Sequence, residues 1–228
     1  MILRLTAALA LAASLALVLA YLHLVGQGPF ASATSRHLRA MKDRTTVPET
    51  AVRYRFADFA ALPHDASLAS YARLERRAVS LDGYVAGMLR SSDGDLHLEI
   101  TAIPRVAGSR ETLYVTGEVT PAFQRGGGWD LERLSQAFVP ISTGPVFDRA
   151  TRRVRIEGWL LYDWQYDGRP AHDPLRELWN RVNPTRHRAP ARRRVHSTWP
   201  RLTGWEIHPV TGIEVWDDAA GAFRRLEP

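Results

Sequence analysis

Val79-Ser80-Leu81-Asp82-Gly83-Tyr84-Val85-Ala86-Gly87-Met88-Leu89 decides how the rest of this chain reads. Val79, Leu81, Tyr84-Val85 and Met88-Leu89 give a period near two, so the stretch reads as one long strand. Gly83 and Gly87 interrupt it. Glycine inside a strand pattern marks a bulge or a sharp coil, and a strand that curls twice fits the first strand of a closed sheet.

Working downstream, Ser91-Ser92-Asp93-Gly94-Asp95 carries a hairpin signal. Leu96, Leu98 and Ile100 then alternate with His97, Glu99 and Thr101, which reads as a half-buried second strand. Leu113, Val115, Gly117 and Val119 give a third. Gly126-Gly127-Gly128 reads as a flexible join, followed by a helix over Trp129–Phe138 with Leu131, Leu134 and Phe138 on one side. Val154, Ile156, Trp159 and Leu161 start a fourth strand around Gly158. Trp205, Ile207, Val210, Ile213 and Val215 supply the last, kinked at Pro209, with Gly212 placed to set a turn. Three strands, a helix and two strands is the element order of an OB-fold. The expectation is therefore a mainly β chain built as a five-stranded Greek-key barrel, with its helix between strands three and four. The competing arrangement is a small open sheet with one helix on it.

Working upstream, Asp65 reads as the cap of a short helix over Ala66–Arg77, with Leu68, Tyr71 and Leu74 on one face. Residues 34–63 lack sustained periodicity and read as a linker, with Tyr54, Phe56 and Phe59 as docking residues. Leu5–Val25 is almost wholly apolar, a hydrophobic N-terminal helix that ends at Gly26-Gln27-Gly28-Pro29. Ala31-Ser32-Ala33 has the small-x-small form of a signal-peptidase site. Residues 1–33 thus read either as a cleaved signal peptide or as a retained anchor that meets the membrane through residues 5–25. Both place the folded part in the periplasm or outside the cell, the second tied to the inner membrane. Arg36, Arg39, Lys42 and Arg44 after the run, against Arg4 before it, argue against simple export and leave a reversed anchor with a cytoplasmic domain as a further alternative.

Val79–Val85, Val154–Asp163 and Trp205-Glu206-Ile207-His208-Pro209-Val210-Thr211 resemble an uncharacterised family of bacterial OB-fold-like proteins that often carry N-terminal export segments. The resemblance covers roughly the last two-thirds of the chain. It implies the fold of residues 64–228 and export, and no activity or catalytic residue.

The chain has 228 residues, a formal net charge of +6 and no cysteine. That excludes disulfides, thiolate zinc sites, iron–sulfur clusters and a cysteine nucleophile. No serine nucleophile elbow, phosphate loop or zincin spacing is legible, so no residue is assigned as catalytic. Arg181, Arg186, Arg188, Arg192, Arg193 and Arg194 carry six positive charges with no acid among them. They lie in a basic insertion over residues 173–200. With Tyr162 and Trp164, the arginines Arg186, Arg188, Arg192, Arg193 and Arg194 form the expected ligand surface. Guanidiniums clamp phosphates and rings stack on bases, so the expected partner is a polyanion, nucleic acid or anionic lipid. This gives a non-enzymatic, exported or tethered binding module without a cofactor. The alternative is a metal-dependent hydrolase or nuclease. If apolar residues face the barrel core, then His97, Glu99, Glu118, Glu206 and His208 share an outer, solvated face. Imidazole and carboxylate there would suit zinc or manganese, with His97, Glu99 and His208 holding the ion and Glu118 or Glu206 as base toward a bound water.

Overall fold

The computed structural model describes residues 2–24, 31–64, 66–91, 93–104, 113–138, 152–163 and 201–227. The elements run α1 (Ile2–Leu24), α2 (Ala33–Lys42), β1 (Val52–Tyr54), α3 (Phe56–Ala60), α4 (Leu68–Leu74), β2 (Ala78–Arg90), β3 (Leu96–Thr101), β4 (Tyr114–Val119), α5 (Pro121–Gly127), α6 (Leu131–Phe138), β5 (Arg153–Tyr162), β6 (Arg201–Asp217) and β7 (Ala222–Arg225).

The strands hydrogen-bond in the order β1-β2-β3-β4-β6-β5, and β5 pairs back onto β2. The sheet is therefore a ring of five strands, with β1 and β7 as short additions to β2 and β6. Within the ring β4 and β6 run parallel and the other neighbours antiparallel. The open-sheet alternative fails on the β2–β5 pairing. Its register runs from Ala78 opposite Trp159 to Tyr84 opposite Arg153.

The alternation read in the sequence sets the inner face. Leu81, Leu98, Ile100, Ile156, Ile207 and Ile213 are all fully buried in one core. The curl of β2 has its register shift between Val85 and Gly87. Gly158 lets β5 and β6 touch: a Cβ there would lie 2.2 Å from the Pro209 carbonyl oxygen. The β2–β3 hairpin turns at Gly94, whose φ of 94° suits glycine.

Several local expectations change. Residues 34–63 are not a plain linker: they carry α2, β1 and α3, and put Leu38, Phe59 and Leu62 into the core. The triplet Ala31–Ala33 begins α2, with Ser32 as its cap accepting from the Ser35 amide at 2.9 Å. Asp65 is outside the described residues, and α4 is capped by Ser67. Gly126 and Gly127 end α5, and Gly128 closes it in the left-handed conformation. Gly212 lies inside β6, and the turn comes later, before β7. The apolar N-terminal run is helical over Ile2–Leu24. Among the described residues, however, no helix is long and apolar enough to cross a membrane. The expected span over residues 5–25 therefore finds no support there.

Candidate metal centre

Strands β3, β4 and β6 lie side by side, and their alternation turns polar residues away from the ring interior. The register sets His97 opposite Glu118 and Glu99 opposite Thr116. Thr116 in turn faces Glu206 across the parallel pair. The result is two cross-strand rows on one face: His97, Glu118 and His208, and below them Glu99, Thr116 and Glu206.

The sequence expectation of a solvated face is corrected here. Glu118, Glu206 and His208 are fully buried, and Glu99 is buried too. The alternation identified the face but not what packs on it. Four further residues converge there. Lys42, at the end of α2, reaches Asp163 beyond β5, its Nζ 2.9 Å from Asp163 Oδ2. Arg201, at the start of β6, pairs with Glu206. Asp95, at the foot of β3, approaches His208 with Oδ2 3.4 Å from Nε2.

The centre of the cluster is Glu118. His97 Nε2 lies 3.0 Å from its Oε1, and His208 Nε2 lies 3.2 Å from its Oε2. These are ion-pair distances, but neither Glu118 oxygen has the alignment of a hydrogen bond. Asp95, Glu118 and His208 each present a ligand atom, all within 4.8 Å of one another. A tetrahedron with bonds of about 2.0–2.1 Å has edges of about 3.4 Å. The 3.2 and 3.4 Å separations from His208 Nε2 match such edges.

Asp95, Glu99, Glu118, Asp163 and Glu206 are all buried, and among the described residues Lys42 pairs with Asp163 and Arg201 with Glu206. Burial opposes ionisation of Glu118, yet His208, His97 and Lys42 hold it well below the usual carboxylate range. Burial and the neighbouring Glu118 push Glu206 up to about 8 against the pull of Arg201. Burial disfavours the charged His208, but Asp95 and Glu118 raise it to about 10. Burial lowers His97 despite Glu118. Lys42 is raised well above its usual value because Asp163, Glu118 and Glu206 outweigh its desolvation.

Of the expected metal residues, Glu118 and His208 come together with Asp95, a residue the sequence reading did not single out. His97 stands behind Glu118. Glu206 is engaged by Arg201, and Glu99 folds over Gly87, where a Cβ would lie 2.6 Å from its Oε2. Asp95 had a legible signal: it sits two residues before His97, on the same alternation as Glu99. Lys42 had another, as the single lysine of the chain.

The expected basic–aromatic surface loses Tyr162. That ring is buried, stacked 4.2 Å from Tyr71 and tilted against Trp205 at 5.1 Å, and its hydroxyl donates to the His64 carbonyl at 2.9 Å. Strand alternation near a strand end does not distinguish a rim from a core position once α4 packs on it. Trp164, Arg186, Arg188, Arg192, Arg193 and Arg194 lie outside the described residues.

No protein-family model matches this chain, and no curated protein does. One solved structure is similar: asparaginyl-tRNA synthetase from Pyrococcus horikoshii complexed with asparaginyl-adenylate. The identity is 16% and the TM-score 0.30, over 66% of this chain and 22% of that one. This chain thus spans about a fifth of that enzyme's length. So low a score bears on neither fold nor ligand here.

Proposed function

We propose that this protein is an OB-fold-like domain that holds one divalent transition metal on the outer face of β3, β4 and β6, and uses it in hydrolysis. The ring order, the parallel β4–β6 pair and the helices between β4 and β5 support the five-stranded Greek-key barrel. The observation that carries the metal is the placement of Asp95, Glu118 and His208, buried, with ligand atoms within 4.8 Å of one another and two of the separations at 3.2 and 3.4 Å.

One imidazole and two carboxylates suit zinc or manganese. Bound there, the ion would supply Lewis acidity and lower the pKa of a water toward neutrality. Asp95, Glu118 and His208 would hold the ion, and His97 would orient Glu118 through its 3.0 Å contact.

The test is elemental analysis of protein purified without chelator, followed by thermal melts with zinc or manganese and by hydrolysis assays on p-nitrophenyl acetate and bis-p-nitrophenyl phosphate. We expect one metal per chain, a raised Tm on loading, and turnover of one probe that a chelator abolishes. Metal-free protein whose Tm ignores both ions overturns the metal. Bound metal without turnover of either probe overturns only the hydrolytic part.

A further inference from the structure

An open cavity of about 400 Å³ lies between α5 and the chain segment that runs from β7 to Glu227. None of Asp95, Glu118 and His208 lines it. Its volume is that of a small-molecule site. The apolar walls are Phe123, Trp129 and Leu226. Trp129 is fixed in place. Its ring N–H donates to the Leu226 carbonyl at 3.2 Å, and Gly127 lets the ring lie close, because a Cβ there would come 2.9 Å from it. Gly126 also lines the cavity, is exposed, and would carry a Cβ that meets nothing within 4 Å.

Two opposite charges stand at this cavity. Arg225 and Glu227 both line it and both are exposed. Arg225 takes Glu157 as its ion-pair partner rather than Glu227, with Nη1 3.7 Å from Glu157 Oε2, while Nη2 donates to the Thr211 carbonyl at 3.4 Å. Gly212 makes room for this placement, since a Cβ there would lie 2.9 Å from Nη1. Both contacts are longer than the ~2.7–2.9 Å of a charge-assisted hydrogen bond. The guanidinium is therefore positioned without being saturated, and it has five N–H donors to share. On the other side, Arg133 donates to the Glu227 backbone carbonyl and pins that residue.

We propose that this cavity binds a small zwitterion with an apolar body, an α-amino acid with an aromatic side chain. Its carboxylate pairs with Arg225, its ammonium with Glu227, and its ring packs on Phe123, Trp129 and Leu226. A plain anion would meet Glu227 and Glu157 beside the guanidinium, and a plain cation would meet Arg225. A zwitterion satisfies both charges, and the apolar wall selects one that carries a ring. The proposal stands apart from the metal reading.

The test is an NMR titration of the full chain with L-phenylalanine. Phenylpropanoate and phenethylamine keep the ring with one charge each, and free glycine keeps both charges without the ring. L-Phenylalanine is expected to saturate with a Kd of about 1 mM or tighter, the scale open to so small a ligand, with the largest amide shifts at Gly126 and Gly127. The three analogues are each expected to bind at least about tenfold more weakly, as loss of a charge-assisted contact or of the ring burial requires. Gly126→Leu fills the cavity from a position with open space around it, so it should keep the wild-type Tm and lose binding. Arg225→Gln should weaken L-phenylalanine at least about tenfold. No saturation by about 10 mM overturns the site. Binding that survives Gly126→Leu unchanged does the same. An analogue that binds as well as L-phenylalanine, or unchanged affinity in Arg225→Gln, overturns the zwitterion.

Discussion

Glu118 sits between two imidazoles, His97 at 3.0 Å and His208 at 3.2 Å, with no exposure to water. Glu118→Gln keeps the shape and removes the charge. It should abolish metal binding and cost about 3–5 kcal/mol, the usual penalty for removing one partner of a buried ion pair. Urea denaturation monitored by circular dichroism checks the second figure, and a loss below 1 kcal/mol would contradict it. Gly158 makes a different kind of prediction. Alanine there drives a Cβ to 2.2 Å from the Pro209 oxygen, so β5 and β6 must part. The expected loss is at least the ~1–3 kcal/mol of an overpacked core. Asp82 contributes to the acid limit. Its burial is outweighed by Arg155, Arg53 and Arg153, which hold its carboxyl below the usual range. A depressed folded pKa gives stability that is full above the unfolded carboxylate pKa of about 4 and lost as pH falls through the folded value. Asp82→Asn should therefore flatten the stability profile below about pH 4 and lower the plateau above it.

At the scale of elements, α2 is where sequence and structure part most. Leu38 is buried in the core cluster, so Leu38→Ala should cost about 2–4 kcal/mol, as truncation of a core leucine does. A linker residue would lose almost nothing, and chemical denaturation separates the two. The long strands were legible because Leu96, Leu98 and Ile100, or Val154 and Ile156, each face one dry interior, and alternation records that directly. Helix α2 was not, because its ten residues carry Arg36, His37, Arg39 and Lys42 around one buried leucine. Strands β1 and β7 are three and four residues long, too short for a period to repeat. The candidate site was half legible. Periodicity placed His97, Glu118 and His208 on one face. It cannot say that the face is covered, because Lys42 and Asp163 lie 121 positions apart in the sequence and meet only once the ring is closed.

The whole molecule is a ring whose two faces solve opposite problems. The inside is apolar and needs nothing beyond packing. The outside of β3, β4 and β6 buries Glu99, Glu118, Glu206 and His208, titratable groups whose desolvation is a cost that partners must offset. A bound metal therefore couples to global stability. At a free concentration of 100 times its Kd it adds about 2.7 kcal/mol, so chelation should lower the Tm of metal-loaded protein by several degrees. Differential scanning calorimetry with and without EDTA measures this. The most direct measurement is anomalous diffraction at the zinc absorption edge from crystals grown with zinc. The account predicts one strong peak bounded by Asp95, Glu118 and His208; an empty map there, or a peak elsewhere on the surface alone, would contradict it.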